Sequence, residues 1–198
     1  MNIVNLNENS AVYTSNTYLL TGEWKTMDDV NTIIDVGRDA QIIGKINKAA
    51  TGVGKQRIDQ IILTHNHYDH ASLTLLIKKR FFNPVVYAFS ATTEGVDRIL
   101  KNGDTLRIAD RMFEIIHTPG HSSDSICLYC PQDEVLFAGD TPLVIQSSDS
   151  TYEPEFIAAL KYIVSKKIKS IYFGHGPPLL ERCEETLLLS YRNSLNSI

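Results

Sequence analysis

No stretch of this sequence stays apolar long enough to span a membrane, and its first twenty residues hold no basic region followed by an apolar run. The sequence therefore predicts no membrane partner, no secretory leader and a cytoplasmic protein. Cysteine is scarce: three in 198 residues, an odd number, which argues against a disulfide framework. Basic residues are not in excess, with 19 Lys and Arg against 23 Asp and Glu and a net charge of −4. Binding nucleic acid requires clustered cations, and the clusters present, Lys78-Lys79-Arg80 and Lys166-Lys167, read as solvated helix ends, so no nucleic-acid partner is expected. There is no linker, low-complexity tract or repeat. The length suits one domain with a full core, predicted over residues 1–198, and leaves oligomeric state open.

What the sequence does hold is a dense run of metal-binding side chains. Residues 64–70 read Thr-His-Asn-His-Tyr-Asp-His, which places His65, His67, Asp69 and His70 directly after the apolar run Ile61-Ile62-Leu63. Imidazoles and a carboxylate suit a borderline divalent cation such as zinc, and burying them together without one leaves lone pairs unsatisfied. Four donors this close in sequence do not all converge on one tetrahedral ion. Three more follow: His121 after Thr118-Pro119-Gly120, Asp140 after Ala138-Gly139, and His175 between Gly174 and Gly176. Each comes beside glycine, which permits close backbone approach to a crowded centre.

Seven donors from four places fit a pair of ions. His65 and His67, two apart, point the same way from an extended segment and make a three-histidine set with His121. Asp69, His70 and His175 make the second set. Asp140, with two oxygens, is the natural bridge. A coordination position left open for water marks a catalytic site more than a structural one.

Periodicity places these residues at the ends of strands. Strand-like pieces are expected at Val12-Tyr13, 17–20, 32–35, 58–63 and 85–89, with helices around residues 42–50, 71–80 and 91–100. The second half repeats the pattern with strands at 105–108, 112–117, 125–130, 135–138 and 170–173. A helix bearing Phe156, Leu160 and Ile163 on one face is expected there, and a last one over 179–195. Two strand-rich halves covered by helices predict sheets packed face to face with helices outside.

Other features have plainer readings. His117, alone at a strand end, reads as a hydrogen-bonding structural residue. Cys127 and Cys130 have the spacing of a redox or zinc pair, but residues three apart on a strand face opposite sides. Gly52-Val53-Gly54-Lys55 follows a helix instead of a strand, and Gln56 stands where a phosphate loop needs Ser or Thr, so it reads as a turn. Thr141 to Tyr152, with Pro142 near its start, is expected to be a loop beside the metals that shapes specificity.

Taken in order, the His-x-His-x-Asp-His cluster, Thr-Pro-Gly-His, Ala-Gly-Asp and Gly-His-Gly resemble the metal-binding motifs of the metallo-β-lactamase superfamily. Asp35 in Thr32-Ile33-Ile34-Asp35-Val36-Gly37 matches that superfamily's first motif, where the aspartate orients a ligand histidine. The resemblance implies an α/β four-layer αβ/βα sandwich with the metals at one edge of the sheets. It also implies a hydrolase using two zinc ions, or iron or manganese in their place, with a metal-bridging hydroxide as nucleophile. Asp69 and Asp140 are the residues expected to act beside the ions, Asp69 as acceptor of the water's proton.

Several branches fit poorly. Secreted β-lactamases carry a signal peptide. Nuclease branches need insertions for which the spacings among His121, Asp140 and His175 leave no room, and the flavin-linked di-iron branch has an acidic residue where His67 stands. With those branches set aside, the sequence looks similar to compact glyoxalase II-like hydrolases, which cleave thioesters. The stretch after His175 is too short for the helical domain that supplies thiol-binding basic residues in full-length glyoxalase II. The expected partner is accordingly a small thioester, ester or lactone. The alternative is an oxidoreductase resembling persulfide dioxygenases, with a single iron on His65, His121 and Asp140.

Overall fold

Neighbouring residues of a strand point to opposite faces, and here those faces belong to different cores. The structure is a computed structural model and describes residues 1–55, 57–148 and 150–195; Gln56 of the glycine-rich segment and Asp149 of the 141–152 loop lie outside it. A six-stranded sheet runs in the order β1 (Asn2–Asn5), β2 (Tyr18–Thr21), β3 (Thr32–Ile34), β4 (Gln60–Ile62), β5 (Val85–Ala88) and β6 (Arg98–Ile99). Its first two pairings are antiparallel and the last three parallel. A five-stranded sheet comprises β7 (Thr105–Ile108), β8 (Arg111–His117), β9 (Ile126–Cys130), β10 (Val135–Gly139) and β11 (Ser170–Phe173). Its strands pair antiparallel except β10 with β11.

Ile33 and Ile61 face an outer core with Ile42 and Ile46 of α1 (Ile42–Lys48) and Ile77 of α3 (Thr74–Arg80), while Ile34 and Ile62 face the other sheet. In the second sheet Ile115, Leu128 and Phe137 point inward, and Ile116, Cys127 and Leu136 point out. The outward set meets Phe156 and Leu160 of α4 (Pro154–Val164) and Leu187 of α5 (Cys183–Leu195). Three cores between four layers give the αβ/βα sandwich that the sequence predicted.

Several local expectations are corrected. Val12-Tyr13 is not a strand; Tyr13 is exposed. The helix expected over 91–100 is a run of turns, with Gly95 at φ +94°, leading into the two-residue strand β6. The helix expected over 71–80 is two: α2 (Tyr68–Ala71) already contains Asp69 and His70, and α3 follows after Leu73. The last helix starts at Cys183 because Leu179 bridges to Ile171 after Pro177-Pro178. β1 was not expected at all. Cys127 and Cys130 lie in different cores as free thiols, in keeping with the structural reading. No helix is long and apolar enough to cross a membrane among the described residues.

Candidate metal centre

Parallel pairing brings strand ends to one edge, and the predicted donors sit on those ends. Asp35 follows β3, and His65 follows β4. His67 is the residue before α2, and Asp69 and His70 lie in its single turn. From the second sheet, His121 follows β8, while Asp140 and His175 follow the parallel neighbours β10 and β11. The two sheets join beside the cluster, where Ile126 N–H donates to the Thr64 carbonyl at 2.9 Å.

The structure brings all seven predicted donors together. His65, His67 and His121 place ligand atoms within 4.8 Å of one another, as do Asp69, His70 and His175. Asp140 lies between these triads, grouping with His65 and His70. Its Oδ1 is 3.3 Å from His70 Nε2, and its Oδ2 is 3.5 Å from both His121 Nε2 and His175 Nε2.

Among the described residues, His65 Nε2, His70 Nε2, His175 Nε2 and Asp140 Oδ1 are buried and lack a hydrogen bond. Each such atom costs about 1–3 kcal/mol if nothing satisfies it. His175 Nε2 is 3.1 Å from Asp69 Oδ2, yet this contact does not have hydrogen-bond geometry. Four unsatisfied atoms turned toward one space are the mark of a cation site, and the donor chemistry fits zinc, iron or manganese.

The opposite ring nitrogens are held from behind. Asp35 Oδ1 accepts from Thr64 N–H at 2.8 Å, and its Oδ2 accepts from Thr64 Oγ1–H at 2.8 Å. Oδ2 also lies 2.8 Å from His70 Nδ1. Because the Thr64 hydroxyl proton goes to Asp35, Thr64 Oγ1 accepts from His65 Nδ1, at 3.1 Å. Both imidazoles thus carry their proton on Nδ1 and turn Nε2 inward, as ligands must. Asp35 reaches this position with φ +54°, a left-handed conformation costing roughly 1–3 kcal/mol.

The two rings differ in charge, because the carboxylates beside His70 favour its imidazolium until a cation takes the place of the Nε2 proton. Burial pushes His65 down to about 4, which keeps its ring neutral. Burial also opposes charge on His70, but the Asp35 and Asp140 carboxylates outweigh it and push that imidazole up to about 10. Burial would raise Asp140, yet His70 and its neighbours draw it down to about 2.

Glycine is required at two backbone positions. A Cβ on Gly139, whose φ is +51°, would stand 2.6 Å from Thr64 Oγ1, and one on Gly174 would stand 2.1 Å from Asp140 Oδ1. Sequence reading did not identify Thr64 as part of the site, since one hydroxyl has no distinctive spacing. It also missed Tyr13, whose ring stacks on His175 at 5.3 Å. His117 lies apart from the donors: its ring stacks on Phe89 at 4.0 Å, and Nε2 donates to the Ser123 carbonyl at 2.9 Å. A cleft of about 370 Å³ opens beside Asp140, His121 and His175, and it is also lined by the start of the expected loop, Thr141 to Val144, and by Phe173.

The sequence profile of the Metallo-beta-lactamase superfamily matches residues 11–175. The chain belongs to the metallo-β-lactamase superfamily. Hydroxyacylglutathione hydrolase of Rhizobium johnstonii is 30% identical over 147 residues, covering 72% of this chain and 56% of that protein. The chain spans about half the length of the first such curated relatives, 48% and 56%. Among solved structures, ETHE1 from Myxococcus xanthus matches with a TM-score of 0.72 at 18% identity, covering 98% of this chain and 88% of that one. TTHA1623 in a di-iron-bound form matches with a TM-score of 0.65 at 22% identity and 98% coverage of both. These structural likenesses show that the superfamily's fold extends over nearly the whole chain.

Proposed function

We propose that this domain is a metal-dependent hydrolase of thioesters or related esters and lactones, working with two zinc ions or with iron or manganese in their place. One observation carries the reading: two separate donor triads with Asp140 between them, open to a cleft. A single iron on His65, His121 and Asp140 would leave His70 Nε2 and His175 Nε2 buried and unsatisfied. The name of the Rhizobium relative, hydroxyacylglutathione hydrolase, supports thioesters as the substrate class.

In this reading His65, His67 and His121 hold one ion, Asp69, His70 and His175 the other, and Asp140 serves both. Bound divalent ions lower the pKa of water to near neutrality and polarise a carbonyl oxygen. The chain's own residues do the rest. Asp35 and Thr64 fix the imidazole orientations, and Asp69 Oδ2, 3.1 Å from His175 Nε2, is the acceptor of a proton. The Thr141–Val144 wall and Phe173 keep water from one side of the substrate. The test is metal analysis of purified protein, followed by assays on thioesters, lactones and phosphodiesters. Two ions per chain with thioester or ester hydrolysis abolished by chelation is the expected result. One iron per chain with oxygen consumption on a persulfide would overturn it.

A further inference from the structure

The cleft beside the metal centre has one feature that the chemistry of the centre does not require. Pro142, Leu143, Val144 and Phe173 wall it, and no lysine or arginine lines it among the described residues. Its volume, about 370 Å³, falls within the range of small-molecule pockets, roughly 300–1,000 Å³. Leu143 is buried against the outer core, whereas Val144 stands 45% exposed.

The wall is fixed at both ends. At its start, Thr141 N–H donates to the Ala138 carbonyl at 3.1 Å, and Thr141 Oγ1 shares a hydrogen bond with Thr118 Oγ1 at 2.8 Å. At its end, Ile145 N–H donates to Ser190 Oγ of α5 at 2.9 Å, and Asn193 Nδ2 donates to the Ile145 carbonyl at 2.8 Å. Anchored this way, the Pro142–Val144 segment presents, beside Phe173 of β11, an apolar surface ordered before any ligand arrives, which removes an ordering cost from binding.

We propose that this wall is a subsite for an uncharged, straight-chain acyl arm of the substrate, and that Val144 at its mouth sets which arms are accepted. The assignment of the arm as an acyl group rests on the hydrolase reading above. Along this wall an anionic arm finds no lysine or arginine and would lose its hydration without a side-chain partner. An alkyl arm loses only its contact with water.

The test separates the two readings by using both substrates and inert analogues. N-acetylcysteamine thioesters from acetyl to octanoyl serve as substrates, and the matching ketones, with CH2 in place of sulfur, serve as ligands in calorimetry on the metal-loaded chain. Affinity for the ketones should rise by up to about fourfold per methylene, the increment for burying one CH2, until the cleft is filled. A terminal carboxylate on the arm should weaken binding at least tenfold. Val144→Lys should weaken the alkyl series and strengthen the carboxylate one, and Val144→Ala should extend the series to longer arms. If the ketones bind this way while no thioester is cleaved, the hydrolase reading fails and the subsite stands. Affinity indifferent to chain length, or unchanged by Val144→Lys in a protein with native circular dichroism, overturns the subsite even if thioesters are cleaved.

Discussion

Gly174→Ala adds one methyl group and removes no donor, so it tests the geometry of the centre alone. The new Cβ would lie 2.1 Å from Asp140 Oδ1 and 2.6 Å from His70 Cε1. Ordinary contact begins near 3.4 Å, so the Asp140 carboxylate must retreat by about 1.3 Å, out of reach of one of the two triads. Misplacing a reacting group by about 1 Å costs on the order of a hundredfold in rate, or about 2.7 kcal/mol of transition-state stabilisation. Overpacking costs a further 1–3 kcal/mol or so of stability. The control is Gly44→Ala in α1, where a Cβ meets nothing within 4 Å. It should raise stability by roughly 0.4–1 kcal/mol through the unfolded state and leave metal binding alone. Thioester turnover, competition with a chromogenic chelator and urea unfolding measure rate, metal affinity and stability in turn. Wild-type metal affinity and turnover in Gly174→Ala would refute the placement of Asp140 between two ions.

Asp35→Asn keeps the shape of the side chain but turns one acceptor into a donor facing Thr64 or His70. Metal affinity should fall about 10- to 100-fold by the same chelator competition. Cys127 is wholly buried and its thiol is pushed up to about 11, because burial disfavours the thiolate. It is therefore neutral at pH 8 in the folded chain, and mass spectrometry after brief iodoacetamide treatment should find it alkylated only in denaturant. Ser190→Ala strips the Ile145 N–H of its partner and should cost about 1–3 kcal/mol in urea unfolding, since a buried donor is left unsatisfied. Phe113→Ala, in the core between the sheets, should cost about 3–5 kcal/mol by the same measurement, without altering metal stoichiometry.

The donors and the layers could be read in advance for the same reason: both follow short-period rules. Paired apolar residues such as Ile33-Ile34 and Ile61-Ile62 announce strands buried on both faces, and imidazoles placed just beyond such runs announce a site at the strand ends. What escaped reading has no period to read. β1 is a four-residue edge strand with Asn at both ends, and β6 has two exposed residues that the surrounding sequence made look helical. The break between α2 and α3 falls at Ser72-Leu73, with no glycine or proline to announce it. Thr64 joins Asp35 to His65 through a tertiary contact, and the left-handed backbone at Asp35 is imposed by that contact against its local preference.

Each donor triad draws two members from the first sheet and one from the second, across the seam closed by the bond from Ile126 to Thr64. On the two-ion reading, a seated cation is consequently a rivet between the halves of the sandwich. Stripping it should lower the melting temperature and expose the seam to proteases, because a ligand that favours the closed form deepens its stability by mass action. Metal supply would then govern how long the chain survives as well as whether it turns over.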